Sequence, residues 1–150
     1  MKLIVIGAVA AGTSAAAKAR RNSEEAEITI YEKDSFISYS GCGMPYYIGG
    51  EVEKREELTP RDPAFFLSKY NVEIKTSHEV LSINPTDKSV TVKNLATGEV
   101  FTDHYDKLIL ATGARAVTPP IPGRESANVF TLRTINDMLN IEAFLDRQKP

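Results

Sequence analysis

The sequence predicts an α/β fold, a parallel βαβ sheet with a small antiparallel β-meander laid against it. Three observations predict it. Leu3-Ile4-Val5-Ile6 is a continuous apolar run that leads through Gly7-Ala8-Val9-Ala10-Ala11-Gly12 into an Ala-rich stretch. Such a run suits a central parallel strand covered on both faces, and the stretch after Gly12 favours helix. From Val72 the apolar period changes to alternation, with turn residues at Asn84-Pro85-Thr86-Asp87 and Thr97-Gly98. Last, Lys107-Leu108-Ile109-Leu110-Ala111 returns to a continuous apolar run, read as another fully buried strand.

Strand, tight glycine loop and helix form the arrangement that aims helix N-terminal amides at a pyrophosphate. Gly7 permits the sharp turn out of the strand, and Gly12 lets the helix pack closely on the sheet. The middle glycine of the G-x-G-x-x-G pattern is absent, because Val9 stands there. Support comes twenty residues past Gly12, where Ile28-Thr29-Ile30-Tyr31 reads as a second strand ending at Glu32. A carboxylate at that place can accept hydrogen bonds from a ribose hydroxyl. The plain alternative is an ordinary βαβ unit that binds no nucleotide. A second alternative is a secretory signal, since Lys2 precedes a small and apolar stretch with Ala15-x-Ala17 near its end. Two glycines, one basic residue and the polar Thr13-Ser14 pair weaken it, and cleavage would remove the strand that Ile28–Tyr31 needs beside it.

Asn22–Glu27 is a polar connection and Asp34–Ser40 a loop. Cys42–Ile48 is expected to be a short helix ending at Gly49-Gly50, with Pro45 in its first turn, where the missing N–H costs nothing. Glu51–Glu57 is highly charged and reads as a solvated surface segment. Asp62 as N-cap and Pro63 at the first position open a helix over Ala64–Tyr70 that buries Phe65, Phe66 or Leu67. The alternating stretches Val72–Ile74, Val80–Ile83, Val90–Val92 and Val100-Phe101 are assigned to the meander. After Thr112-Gly113-Ala114-Arg115, Pro119, Pro120, Pro122 and Gly123 force an extended exit. Thr134 with Asp137 starts a last amphipathic helix, whose Ile135, Met138, Leu139, Ala143 and Phe144 share a face.

The bulk properties exclude several classes. Lys+Arg number 18 against 20 Asp+Glu, a net charge of −2, which argues against a general nucleic-acid binder. No apolar run reaches the roughly 18 residues of a membrane span. A single cysteine permits neither an internal disulfide nor a C-x-x-C pair, and a cytoplasmic setting is the simplest fit. His78 and His104 have no metal-ligand spacing and are read as surface residues. Lys18, Arg20 and Arg21 are read as solvated charge near a helix C-terminus, and Tyr46-Tyr47 as core packing.

Cys42 is the one nucleophile candidate. Gly41 and Gly43 flank it, so a flat ligand can approach closely, and helix N-terminal amides are a setting in which sulfur nucleophiles are activated. The alternative is a small buried hydrophobe. A reactive cysteine without a partner cysteine has two oxidised states, a mixed disulfide with a small thiol or a sulfenic acid. Either needs electrons to return, which suits a flavin beside a nucleotide-binding loop.

Four stretches then occur in a telling order: Gly7-x-Val9-x-x-Gly12, Ile30-Tyr31-Glu32-Lys33, Ser40-Gly41-Cys42-Gly43-Met44-Pro45-Tyr46-Tyr47 and Leu110-Ala111-Thr112-Gly113-Ala114. Together they resemble the single-cysteine branch of the FAD-dependent pyridine nucleotide-disulfide oxidoreductases, over all 150 residues. That branch holds coenzyme A-disulfide reductases, NADH oxidases, NADH peroxidases and NADH-dependent persulfide or polysulfide reductases. The resemblance implies a Rossmann-like FAD-binding sheet, with Gly7, Ala8, Val9, Ala10, Ala11 and Gly12 at the pyrophosphate. It implies Glu32 and Lys33 at the adenosine ribose, Val80 at the adenine, Ala111-Thr112-Gly113 beside the cofactor, and Cys42 over the flavin. Position 10 usually carries a histidine in oxidases and peroxidases, whereas this chain has Ala10, as do coenzyme A-disulfide reductase-like members. Ser14, Lys18, Arg21 and Ser38 match places where those relatives contact coenzyme A. Lys18 and Gly41 depart from a frequent glutamine and asparagine, which leaves persulfide or polysulfide open as substrate.

In the family a nicotinamide-binding domain follows a Lys-Pro like Lys149-Pro150, and a dimerisation domain with active-site tyrosines follows that. The resemblance therefore implies that residues 1–150 are the N-terminal part of the FAD-binding domain of a longer, homodimeric enzyme using NADH or NADPH. By itself this stretch is expected to be catalytically incomplete. The competing expectations are an oxidase or peroxidase that cycles Cys42 through sulfenate, and a non-catalytic nucleotide-binding module with a structural Cys42.

Overall fold

A computed structural model describes residues 1–148. Lys149-Pro150, the expected junction to a following domain, lies outside the described residues. The chain divides into two compact units, each discontinuous in sequence. The first comprises Met1–Ser38 and Arg61–Gly113, and the second Tyr39–Pro60 with the chain from Ala114 on.

The first unit is built on a four-stranded parallel sheet. Its strands are β1 (Lys2–Ile6), β2 (Glu27–Tyr31), β3 (Glu73–Lys75) and β7 (Lys107–Leu110), in the order β3-β2-β1-β7. Leu3 stands opposite Ile28 and Val5 opposite Ile30, and these residues share one face by the two-residue period of a strand. That face is covered by α1 (Ala11–Asn22), through Ala16, and by α3 (Pro63–Tyr70), through Phe66. On the other face Ile4 and Tyr31 pack against Val90 and Val92. Those valines belong to β5 (Ser89–Asn94), the middle strand of an antiparallel meander with β4 (His78–Asn84) and β6 (Val100–His104). Both faces of β1 are therefore dry, which is why its three central residues are all buried.

Two strand assignments need correction. Val72-Glu73-Ile74 does not belong to the meander: β3 pairs in parallel with β2, Ile74 opposite Ile30. A three-residue strand is too short for alternation to reveal which sheet it joins. The run ending at Leu110 is not fully buried, since β7 is an edge strand and Leu110 is 62% exposed.

Helix α3 starts and stops as its chemistry dictates. Asp62 Oδ1 accepts the Phe65 N–H at 2.8 Å, Pro63 occupies the first turn, and Asn71 ends the helix with φ +48°. Phe66 is buried, Phe65 partly so, and Leu67 faces solvent. In the second unit, Gly41–Gly43 forms one 3₁₀ turn that continues into α2 (Met44–Ile48). A second 3₁₀ turn, Arg55–Leu58, falls within the charged segment and buries Leu58. The stretch from Ala114 to Thr134 is extended and turn-rich. It ends at α4 (Ile135–Gln148), where Asp137 Oδ2 accepts the Thr134 N–H at 2.8 Å and Thr134 Oγ1 accepts the Asp137 N–H at 3.2 Å. Ile135 and Met138 are buried, Leu139 and Phe144 are half-buried with the Phe144 ring 5.1 Å from that of Phe130, and of the expected face Ala143 alone is exposed.

Candidate functional site

The glycine loop leaves β1 at Gly7, whose N–H donates to the Tyr31 carbonyl at 2.8 Å. Gly7 has φ +103°, and a Cβ there would collide with the Ala111 carbonyl. A Cβ on Gly12 would run into the Gly7 carbonyl and approach Val5 Cγ1 at 3.2 Å. Both glycines are thus required by space, whereas the residue between them is not: Val9 is accommodated, and its carbonyl accepts the Thr13 hydroxyl at 2.9 Å. The N-cap of α1 is Ala10, which has no oxygen with which to close off the first-turn amides, and no acidic residue lies in that turn. A twelve-residue helix beginning this way presents unsatisfied N–H groups and the positive end of its dipole, the chemistry that holds an anion.

Glu32 is buried and braces this loop. Its Oε2 accepts the Ala8 N–H at 2.7 Å and its Oε1 accepts the Asp34 N–H at 2.9 Å. Each carboxylate oxygen has two lone-pair sites, so acceptor capacity remains for a hydroxyl. Lys33 beside it is exposed. Ala111 extends the ladder, donating its N–H to the Ile6 carbonyl at 2.8 Å, and Gly113 turns away with φ +65°. Gly7–Gly12, Glu32 and Ala111–Gly113 are thereby brought into one cluster. Val80 stands opposite Val92 just before a bulge at Leu81 and packs against the cluster that holds Tyr31, two residues past His78, whose N–H donates to the Glu32 carbonyl at 2.9 Å.

Ser14, Lys18 and Arg21 are exposed and spaced four and three residues apart, which sets them along one face of α1. Ser38 has φ +49° and donates its N–H to the Ala8 carbonyl at 2.9 Å, tying its loop to the glycine loop. Arg20 departs from its reading as solvated charge. Its guanidinium donates to the carbonyls of Tyr70 at 2.9 Å and Asn71 at 2.8 Å, and also to those of Ser23 and Glu24. It satisfies the open carbonyls beyond two helices at once, work that charge counting does not reveal.

Cys42 belongs to the second unit. It is exposed, which removes the reading as a small buried hydrophobe. It sits in the middle of the 3₁₀ turn, with Ser40 Oγ 3.4 Å from its Sγ. Tyr46 is 55% exposed, and Tyr47 donates its hydroxyl to Glu142 Oε1 at 2.8 Å, so the tyrosine pair is not core packing. That bond, followed by burial, holds the Tyr47 phenol above its ordinary range. His78 is also not a simple surface residue, because its ring lies 6.1 Å from Phe101 and 6.2 Å from Tyr31. Among the described residues no group of three or more His, Cys, Asp or Glu gathers as a metal site, and no helix is long and apolar enough to cross a membrane.

The parallel sheet, the sterically enforced glycines and the open helix N-terminus define an α/β protein of the Rossmann type. The chain belongs to the pyridine nucleotide-disulphide oxidoreductase family, whose pattern it matches over residues 1–149. It is 44% identical over 148 residues to a coenzyme A disulfide reductase of Staphylococcus haemolyticus, covering 99% of this chain and 33% of that protein. Its fold superposes on reduced Bacillus anthracis CoADR-RHD with a TM-score of 0.94 and 42% identity, over 99% of this chain and 27% of the other. An NAD-dependent persulfide reductase from A. fulgidus follows with a TM-score of 0.91 and 35% identity, over 99% and 28% of the two chains. The chain thus spans about a third of the length of its curated relatives.

Proposed function

We propose that residues 1–150 are the N-terminal part of the FAD-binding domain of a longer NAD(P)H-dependent oxidoreductase. Its substrate is coenzyme A disulfide or a related persulfide or polysulfide, reduced through Cys42. The observation that carries the cofactor assignment is the prebuilt loop: two glycines with no room for a Cβ, and a buried Glu32 bracing the Ala8 amide. These residues fit a dinucleotide. The first-turn amides of α1, reached through Gly7, Ala8, Val9, Ala10, Ala11 and Gly12, would hold its pyrophosphate. Glu32, with Lys33 adjacent, would take the ribose, Val80 the adenine, and Ala111-Thr112-Gly113 would flank the remainder. When bound, FAD supplies two-electron transfer between the nicotinamide and the cysteine.

Cys42 attacks one sulfur of the substrate disulfide, forming a mixed disulfide and releasing the other half as a thiolate, so that one S–S bond forms as one breaks. Gly41 has no neighbouring atom within 4 Å of where its Cβ would stand, which leaves that flank open to a bulky substrate. Ser14, Lys18 and Arg21 on α1, with Ser38, supply hydroxyl and cationic groups suited to a phosphorylated thiol. The Ala10 side chain offers no proton donor or acceptor, which favours disulfide chemistry over the sulfenate cycle of an oxidase or peroxidase. The full protein is proposed to be a cytoplasmic homodimer that uses NADH or NADPH and has no nucleic-acid or membrane partner.

The test is Cys42→Ser in the full-length protein. NAD(P)H-dependent reduction of coenzyme A disulfide and of polysulfide should fall at least about a thousandfold, while the flavin absorbance band is retained. Surviving activity would exclude Cys42 as the nucleophile. Loss of flavin from a Glu32→Ala variant, with Cys42 still alkylated by iodoacetamide at the parent rate, separates the cofactor claim from the nucleophile claim.

A further inference from the structure

We infer that Ser40 is a positioning residue for Cys42: its hydroxyl donates a hydrogen bond to the cysteine sulfur and fixes that sulfur in place for attack. The inference rests on Cys42 being the nucleophile proposed above. Ser40 Oγ lies 3.4 Å from Cys42 Sγ, within range of a hydrogen bond to sulfur; Ser40 is half-buried and Cys42 exposed.

The backbone around Ser40 is anchored. Its N–H donates to the Leu58 carbonyl at 2.8 Å, and its carbonyl accepts the Gly43 N–H at 3.2 Å. Ser40 is extended, with φ −82° and ψ +96°, at the entry to the 3₁₀ turn, so its side chain is delivered to the turn that carries Cys42. Gly43 supplies a second, independent constraint. A Cβ at Gly43 would stand 2.5 Å from Leu58 Cδ2 and 3.1 Å from Ser40 Oγ. The absence of that methyl is what lets the hydroxyl and the leucine share the space behind the turn. Gly41, in contrast, faces open space. The two glycines flanking Cys42 therefore differ in use, one making room for a donor and the other keeping a path open for substrate.

The chemistry follows from what the sulfur does. The attacking species is the thiolate, and a hydroxyl donor bonds more strongly to a charged acceptor than to a neutral one. When Cys42 attacks a disulfide R–S–S–R, its sulfur gives an electron pair to the new S–S bond and loses its charge. The departing R–S⁻ carries that charge away, and no external oxidant or reductant enters. Ser40 thus holds the sulfur in position before attack, and its O–H is free to reorient once the mixed disulfide has formed.

The experiment uses the full-length protein and iodoacetamide, which reports on the sulfur without needing the substrate to be known. Ser40→Ala should slow alkylation of Cys42, followed by mass spectrometry at fixed neutral pH, by about three- to tenfold. Ser40→Thr, which keeps the hydroxyl, should restore the rate to within about twofold of the parent. In disulfide reduction the Ser40→Ala loss should fall on kcat, with KM unchanged within about twofold. An unchanged alkylation rate in Ser40→Ala overturns the inference, as does an equal loss in the Ala and Thr variants, which would mean packing rather than donation. If Cys42→Ser retains disulfide reduction while Ser40→Ala still slows alkylation, the nucleophile assignment fails and the hydrogen bond stands.

Discussion

At the scale of single residues, the chemistry is concentrated in side chains whose partners lie far off in sequence. Glu32 is the clearest case. The strand-end position of this acid is legible in sequence, because it follows an apolar run at the right distance from Gly12. Its hydrogen bonds to the Ala8 and Asp34 amides are not legible, since no local pattern says which amide a carboxylate will meet. Glu32→Gln keeps the shape but turns one acceptor oxygen into an NH₂ that faces a backbone N–H. It should destabilise the protein by about 1–3 kcal/mol, read by urea denaturation, and weaken flavin retention in the full-length protein. A variant as stable as the parent would show that the brace is dispensable. Ser40 is the residue that sequence reasoning passed over. Only the turn geometry distinguishes it from any loop serine, and the one available signal was a hydroxyl two positions before the lone cysteine.

Among the elements, local signals and structure agree wherever the signal is itself local chemistry. Asp62 and Pro63 start α3, and Thr134 with Asp137 starts α4, because a cap is decided by residues within one turn of it. Disagreement appears where a longer-range choice decides. β3 is too short to declare which sheet it joins, and β7 reads as central but stands at an edge. Arg20 shows the same limit, since it links α1 to the end of α3, about fifty residues on. Arg20→Ala should leave the carbonyls of Tyr70 and Asn71 without this donor and cost about 1–3 kcal/mol in urea denaturation. Arg20→Lys should recover only part of the loss, because an ammonium cannot fork to both carbonyls. Full recovery by lysine would mean that charge, not geometry, sets the contribution.

For the whole first unit, one charged network ties the meander to the parallel sheet. Lys2 Nζ donates to Asp103 Oδ1 at 2.6 Å, and the Tyr31 hydroxyl donates to Asp103 Oδ2 at 2.8 Å. Partial burial works to raise the Asp103 carboxyl, but the bonds from Lys2 and Tyr31 outweigh it and hold the group below its ordinary value. Burial and the Asp103 bond push Tyr31 upward, and Lys2 is also raised, its bonds to Asp103 and Glu27 exceeding the opposing effect of burial. A depressed acid contributes stability above its unfolded value and loses it as the pH falls through the folded one. Raised groups contribute below their unfolded values and lose it as the pH rises through the folded ones. Thermal stability should therefore be flat between about pH 4 and pH 10 with respect to this network and fall on both sides. Asp103→Asn should remove the acid-side loss assigned to this group; an unchanged acid limb would show that other carboxylates govern it. The parallel sheet has one more consequence, in the order of synthesis. β1 lies between β2 and β7, yet β7 is made about a hundred residues later, a delay of roughly 5–20 s at common elongation rates. Through that interval the emerging chain carries a strand with one hydrogen-bonding edge unfilled, and a ribosome-bound chaperone has its longest opportunity there.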